Sequence, residues 1–206
     1  MTAVPHLLDD LHLSHLLSRD DLTVDDVASL PEDLRYELLD GRLVLLPIPF
    51  PMHNWIARQV AQALDRNASD EAFVNIETSV AIGTRSELRP DAAVIRLEGA
   101  DRSPVLARDV LVVVEVVSRS SVLHDRRFKA KVYADAGIPL YWVLDPLGEQ
   151  VTLTVHVLGP DGVYQSDGHH VGRVALEQPW PVALDLDAWT AYRDKVQSRR
   201  RQAGSK

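Results

Sequence analysis

The sequence predicts an α/β domain in which a central mixed β-sheet is flanked by helices. Residues 111–117 form an unbroken, mostly β-branched run with a carboxylate, Glu115, near its centre. Such a run is typical of a strand that is buried on both faces. Helical patterns at 54–64 and 125–136 are interspersed with further apolar runs. Because no βαβ unit of constant length repeats, a mixed sheet with helices on both faces is the fold that fits best.

Composition is consistent with one globular domain. The chain has 206 residues, of which 46% are hydrophobic and 25% are charged, enough to form a full core. It has no cysteine, which excludes disulfides and thiolate metal sites and is compatible with the reducing cytoplasm, the location we expect. No apolar run approaches the ~20 residues of a membrane span. The N-terminus lacks a signal-peptide pattern, so we expect no membrane partner.

The charge is unevenly distributed along the chain. Formal net charge is −8, but residues 193–206 hold six basic residues against one acid, which leaves −13 for residues 1–192. Such an acidic body is not typical of a non-specific nucleic-acid binder. We expect a helical extension at 1–22 whose leucines pack on the body or on a second subunit. A main domain at 23–192 and a basic, frayed C-terminal tail at 193–206 complete the predicted division.

Local signals predict the elements of the main domain. Thr23 before two acids favours the N-cap of a short helix that ends near Leu30. Asp40-Gly41 between two apolar runs is a strong hairpin signal. The paired His169 and His170 are expected in a solvated turn. The remaining expected elements are a helix at 54–64, strands at 74–82, 92–95 and 111–117, a helix at 125–136 closed by Gly137, a buried strand at 140–144 that includes Tyr141 and Trp142, strands at 151–158 and 172–176 that extend the sheet, and a terminal helix at 187–201.

The sequence has no glycine-rich phosphate loop, dinucleotide fingerprint or nucleophile elbow. The candidate catalytic residues are therefore the charged residues around the central strand. Asp91 precedes one apolar strand and Glu115 lies within the next. If these strands are neighbours, the two carboxylates can share one cation, and oxygen ligands suit Mg²⁺ or Mn²⁺. Lys129 shares a helix face with Asp125 and Tyr133 and can reach the same point. The alternative is a structural ion pair between Glu115 and Lys129 with Asp91 as a strand-edge acid.

The order of these residues resembles the PD-(D/E)xK nuclease superfamily and, within it, a large bacterial family of restriction endonuclease-like proteins. The resemblance covers about residues 23–192, and one departure from the superfamily is that Val117 stands where its lysine normally lies. In the closer family the lysine is displaced to the following helix, the position of Lys129. The matching motifs are Tyr36-Glu37-Leu38-Leu39-Asp40-Gly41, His53 at a helix start, Arg89-Pro90-Asp91, Glu115-Val116-Val117-Ser118, then Asp125, Lys129 and Tyr133, Gly137-Ile138, and Tyr141-Trp142-Val143-Leu144-Asp145-Pro146.

The resemblance implies a restriction endonuclease-like core that hydrolyses DNA phosphodiester bonds with Mg²⁺ (or Mn²⁺). Asp91 and Glu115 would hold the metal, Lys129 would supply positive charge, and Glu37 would be an accessory acid. From the residues alone, Glu37 can equally be a hairpin residue that faces solvent. Lys131 lies about 200° around the helix from Lys129, so only one of the two can face the site.

Further residues are candidates for contact with substrate. Arg119, Arg126 and Arg127 flank the predicted site and are the best candidates for phosphate contacts. His53 either touches a phosphate or a metal-bound water, or simply caps its helix. The resemblance also suggests a homodimer. The leucine-rich face of residues 5–18 has no obvious partner in the core pattern, so we expect it to supply part of the interface. Two other functions remain open: a catalytically silent module for nucleic-acid binding or assembly, and a metal-dependent hydrolase that acts on something other than DNA.

Overall fold

The structure, a computed structural model, describes residues 10–31, 33–118 and 123–203, with side chains described except at 10–11 and 123–127. None of its helices is long and apolar enough to cross a membrane. The helices are α1 (Asp10–Leu17), α2 (Val24–Val27), α3 (Pro51–Asp65), α4 (Leu123–Asp135) and α5 (Leu186–Ala203). The strands are β1 (Tyr36–Leu39), β2 (Arg42–Leu45), β3 (Ala72–Ile76), β4 (Val80–Ile82), β5 (Ser86–Leu88), β6 (Ala92–Arg96), β7 (Val105–Leu106), β8 (Val110–Val116), β9 (Leu140–Asp145), β10 (Thr152–Leu158), β11 (Tyr164–His170), β12 (Arg173–Leu176) and β13 (Val182–Asp185).

The predicted mixed sheet is confirmed. The six-stranded main sheet has the order β11-β10-β9-β8-β6-β3, in which β8 and β9 run parallel and the other pairs antiparallel. The parallel pair is possible because α4 forms the crossover between its strands. Strand β8 lies near the middle of this sheet, as its uninterrupted apolar sequence predicts.

A smaller sheet carries the N-terminal hairpin. Its order is β2-β1-β5-β4-β7. The turn between β1 and β2 consists of Asp40 and Gly41, whose φ values of 45° and 85° suit a tight hairpin turn. A Cβ at Gly41 would lie 2.7 Å from the carbonyl oxygen of Asp20, so only glycine fits there. The hairpin prediction is therefore confirmed.

Strand β8 is covered on both faces. On one face Val112 and Val114 pack with Trp142 and with the inward side of α3, namely Ile56, Val60, Ala63 and Leu64. On the other face Val113 packs with Tyr133 and Tyr141. Tyr141 and Trp142 are core residues, as predicted. Since side chains alternate along a strand, Glu115 shares the face of Val113, beneath α4.

Several strands of the structure differ from the predicted ones in their bounds or in their pairing. Residues 74–82 are not one strand but two, in different sheets, separated at Glu77, whose φ of 53° breaks the extended backbone. The strand at 172–176 does not extend the main sheet, because β12 and β13 form a separate two-stranded sheet. His169 and His170 lie on β11, paired with β10, and not in a turn. Strand pairing is decided by distant segments, which local sequence signals do not report.

The two terminal regions contribute to the body. Leu16 of α1 is buried with Leu22, Leu38 and Leu43 in a small core beneath the hairpin, so the extension packs on its own chain there. Arg193, expected in a frayed tail, is instead 4% exposed, and its guanidinium donates hydrogen bonds to the carbonyl oxygens of Pro146, Gly148 and Glu149. The division of the chain at residues 22 and 192 otherwise stays a prediction.

Candidate active site

Strand pairing brings Asp91 and Glu115 together. Strands β6 and β8 pair antiparallel, with Ala92 opposite Val114 and Ala93 opposite Val113. Continuing this register by one residue sets Asp91 opposite Glu115, and side chains that are directly opposite project from the same face. The Oδ2 atom of Asp91 also accepts a 2.6 Å hydrogen bond from the backbone N–H of Val116. The two acids therefore lie side by side at the end of the β6–β8 pair.

Glu115 is held by the helix that covers its face. Its Oε1 atom accepts hydrogen bonds from the Tyr133 hydroxyl at 2.8 Å and from Lys129 Nζ at 3.3 Å. Burial raises the pKa of Glu115 to about 8; the Lys129 ammonium opposes this shift, and the charges of Asp91 and Glu37 add to it. Negative charge is thus costly at this position unless a cation accompanies it.

Lys129 contacts acids from both large sheets. Its Nζ atom lies 2.7 Å from Glu37 Oε1 in β1 and 3.3 Å from Glu115 Oε1 in β8. Lys131 points away from the site: its side chain is 74% exposed and pairs with Asp135 at 2.6 Å. The expectation that only one of the two lysines faces the acids is confirmed. The predicted ion pair of Glu115 and Lys129 exists, but it is part of a larger group that also includes Glu37.

Glu37 does not face solvent. It is 2% exposed, so the alternative of a solvated hairpin residue is wrong. Besides Lys129, its Oε1 atom accepts a 3.0 Å hydrogen bond from the backbone N–H of Arg89, two residues before Asp91. Glu37 therefore links the hairpin, α4 and the segment that enters β6.

His53 lies beside Asp91 in the first turn of α3. Its Nε2 atom is 3.0 Å from the carbonyl oxygen of Val116 and 3.3 Å from Asp91 Oδ2. The helix N-cap is Phe50 and makes no side-chain capping bond, so His53 does not cap the helix. Burial disfavours charge on the imidazole, but the hydrogen bond and charge of Asp91 outweigh it and raise the pKa of His53. His53 thereby restrains Asp91.

The three candidate phosphate-binding arginines cannot be placed at the site. Arg119 lies outside the described residues. Arg126 and Arg127 belong to α4, as does Asp125, but their side chains also lie outside what the structure describes. Their contact with phosphate stays a prediction.

Sequence reasoning missed the residues that hold this group in place. The sequence puts Tyr133 on the Lys129 face of α4 but indicates no role for it, whereas in the structure its hydroxyl donates a hydrogen bond to Glu115. Arg35 Nη1 pairs with Glu77 Oε2 at 2.5 Å, and the Glu77 backbone N–H donates to the Asp91 carbonyl oxygen at 3.2 Å. Arg35 and Glu77 thus connect the hairpin to Asp91. The helical spacing signalled Tyr133, whereas the Arg35–Glu77 pair joins segments 42 residues apart and leaves no local signal.

The donor atoms of the group suit a hard cation. Within the described part of the chain, Glu37, Asp91 and Glu115 each use one carboxylate oxygen in the hydrogen bonds above, and the other oxygen makes none. The described residues contain no group of three histidine, cysteine or acidic side chains placed to hold one metal ion. At this site, the Lys129 amine contacts both Glu37 and Glu115. Two carboxylates, Asp91 and Glu115, therefore remain as candidate metal ligands.

Comparison with known proteins gives a family and a fold. Residues 24–188 match the family described as Uma2, putative restriction endonuclease. The crystal structure of a putative nuclease belonging to DUF820 from Anabaena variabilis ATCC 29413 is similar, with a TM-score of 0.63 and 16% identity over 83% of this chain and 98% of that chain. At this identity the similarity shows a shared fold. No curated protein matches the chain.

Proposed function

The chain belongs to the Uma2 family of putative restriction endonucleases, and on this premise we propose that it is an endonuclease that hydrolyses DNA phosphodiester bonds with Mg²⁺ or Mn²⁺. Family membership supports nuclease activity; the metal and the DNA substrate are our proposal. The observation that carries it is the group of three adjacent carboxylates, Glu37, Asp91 and Glu115, two of which, Glu37 and Glu115, are bridged by Lys129.

The charge balance of this group favours a divalent ion. When all three acids are ionised, Lys129 leaves an excess of two negative charges among these four side chains. Glu37 is 2% and Lys129 8% exposed, so water screens these charges poorly. The raised pKa of Glu115 reflects this burial and crowding. A bound divalent cation would balance the excess.

Asp91 and Glu115 would hold the ion through carboxylate oxygens, and water would complete its coordination, as is common for Mg²⁺. When bound, such an ion lowers the pKa of a water molecule and offsets negative charge on the reacting phosphate. The protein holds its own groups ready for this. Tyr133 and Lys129 fix Glu115, while His53 and the Val116 N–H fix Asp91.

Lys129 would supply the fixed positive charge of the site. Val117, which stands where the superfamily has its lysine, is 3% exposed and apolar, so this position supplies no ammonium. The amine of Lys129 reaches Glu115 from α4 instead. Glu37 holds that amine at 2.7 Å. An ammonium held in this way stabilises negative charge that develops on a phosphate in the transition state without first having to reorganise.

Plasmid nicking by purified variants tests the proposal. Asp91→Asn and Glu115→Gln keep side-chain shape but remove charge, so each is expected to lower Mg²⁺- or Mn²⁺-dependent nicking by about 10²-fold or more. Lys131→Ala is the control, because Lys131 is exposed and pairs with Asp135 outside the site. Circular dichroism would confirm that all variants fold. Undiminished nicking by both acid variants would contradict the proposal.

A further inference from the structure

The surface near the candidate site carries the two most exposed large apolar side chains among the described residues. Ile48 is 87% exposed and Phe50 69% exposed. Both belong to the segment Leu46-Pro47-Ile48-Pro49-Phe50-Pro51, here called the proline loop. Large apolar side chains that stay exposed to water in the folded protein contribute little to its stability, so folding does not account for these two residues.

Both ends of the proline loop are attached to elements that form the site. At its start, the Leu46 N–H donates a 2.9 Å hydrogen bond to the carbonyl oxygen of Arg35, two residues before Glu37. At its end, α3 begins at Pro51 and carries His53, which contacts Asp91. The loop therefore connects β2, which pairs with the strand of Glu37, to the helix whose His53 contacts Asp91, so both of its ends adjoin elements of the site.

The prolines hold the loop extended. Pro47, Pro49 and Pro51 have restricted φ angles, and a residue that precedes proline is restricted to extended backbone. Phe50, with φ −65° and ψ 146°, has this conformation. Ile48 and Phe50 each lie between two prolines, so their backbone cannot fold into a helix that would tuck them inward. Their backbone is thus restricted before binding, which lowers the entropy that the loop loses when it binds.

We propose that the proline loop contacts nucleobases of the substrate, with Ile48 and Phe50 packed against base faces beside the reacting phosphodiester. This inference rests on the proposed function. A polynucleotide that reaches Asp91 and Glu115 must extend past the border of the site, where the loop lies. The loop contains no charged residue, so it suits the apolar faces of bases and not phosphates.

The charge of the chain strengthens this argument. With a net charge of −8, the protein as a whole repels DNA, which weakens the electrostatic part of the affinity. Packing of aromatic and aliphatic side chains on bases adds affinity that does not depend on charge and that tolerates many sequences. The proline loop would thus supply binding that the acidic body does not.

Steady-state nicking kinetics of loop variants test the inference. Phe50→Ser and Ile48→Ser are each expected to raise KM for plasmid DNA about tenfold with kcat within about twofold of wild type, because base contacts act in binding. The ratio of the variant KM to the wild-type KM should be similar at low and high salt, because an apolar contact releases no counterion when it forms. Leu97→Ser and Val163→Ser are matched controls, as these residues are 55% and 58% exposed and lie in other segments.

The outcomes separate this inference from the proposed function. If the wild-type protein shows no metal-dependent nicking, the proposed function fails and the inference with it. If the wild type nicks DNA and Phe50→Ser and Ile48→Ser have wild-type KM, only the inference is overturned. It is also overturned if light scattering shows that the loop variants lose a dimer that the controls keep, because a second copy of the chain would then cover the loop.

Discussion

Replacement of Lys129 by methionine tests whether its ammonium serves the reaction as well as the fold. Lys129 is 8% exposed and its Nζ lies 2.7 Å from Glu37 and 3.3 Å from Glu115. Methionine keeps an unbranched, flexible stem but carries no charge. Removal of one partner from a buried ion pair costs about 3–5 kcal/mol. Because either acid can take up a proton instead, we expect the lower end of this range in urea denaturation.

The effect on cleavage is expected to be separate from the effect on stability. Loss of one preorganised electrostatic donor lowers a rate by about 10²- to 10³-fold, so Lys129→Met should nick plasmid DNA that much more slowly. Metal affinity should be unchanged or slightly higher, because a positive charge beside Glu115 is gone. Titration of Mn²⁺ into the purified variant measures this.

A double variant separates the role of Lys129 in the reaction from its role in the stability of the fold. Glu37→Gln combined with Lys129→Met removes both members of the pair and leaves no uncompensated charge between them, so much of the lost stability should return. Nicking should stay about 10²-fold below that of Glu37→Gln alone. Lys131→Met is the control and should change stability by no more than about 0.5 kcal/mol, since its side chain is 74% exposed. Wild-type cleavage by Lys129→Met, or recovery of cleavage in the double variant, would refute a role in the reaction.

The remaining predictions concern stability and assembly. Because burial raises the pKa of Glu115 from its ordinary 4.5 to about 8, the folded metal-free protein binds more protons than the unfolded chain between these values, and its stability should fall as pH rises through this window. The urea midpoint measures this, and an equal slope in Glu115→Gln would contradict it. Glu77→Gly removes the ion pair with Arg35 but tolerates the φ of 53°, so it should be about 1 kcal/mol more stable than Glu77→Ala; equal stabilities would contradict this. We expect a homodimer by light scattering, and a full-length monomer would contradict that. Leu16 packs within its own chain, so Leu16→Ser should lower stability and leave the mass unchanged, whereas dissociation would place α1 in the interface.

Parts of the fold and site followed from local chemistry. The Asp40-Gly41 turn needs positive φ at both residues, and few residue pairs other than Asn-Gly or Asp-Gly provide it. The position of Glu115 within an apolar run indicated a buried carboxylate that needs a partner. Helix geometry was enough to separate Lys129 from Lys131, because two residues correspond to about 200° of rotation.

Other parts depend on contacts between distant segments. The burial of Glu37 requires the hairpin to meet α4, and its partner Lys129 is 92 residues away. The two β-strands within residues 74–82 belong to different sheets because Glu77 takes a left-handed conformation, for which its residue type gives no signal. Strand β11 has few apolar residues, and Asp167 and His169 on it are exposed. Its sequence therefore lacks the alternation of apolar and polar residues that indicates a strand.

The most direct test of the proposed metal-dependent site is a crystal structure of the protein soaked with Mn²⁺. Anomalous scattering locates the ion independently of any assay for cleavage. The proposal predicts a peak within coordination distance of carboxylate oxygens of both Asp91 and Glu115, with the Lys129 amine on the same side of the sheet, and loss of the peak in Asp91→Asn. A peak elsewhere on the protein, or none at Mn²⁺ concentrations that support nicking, would contradict it.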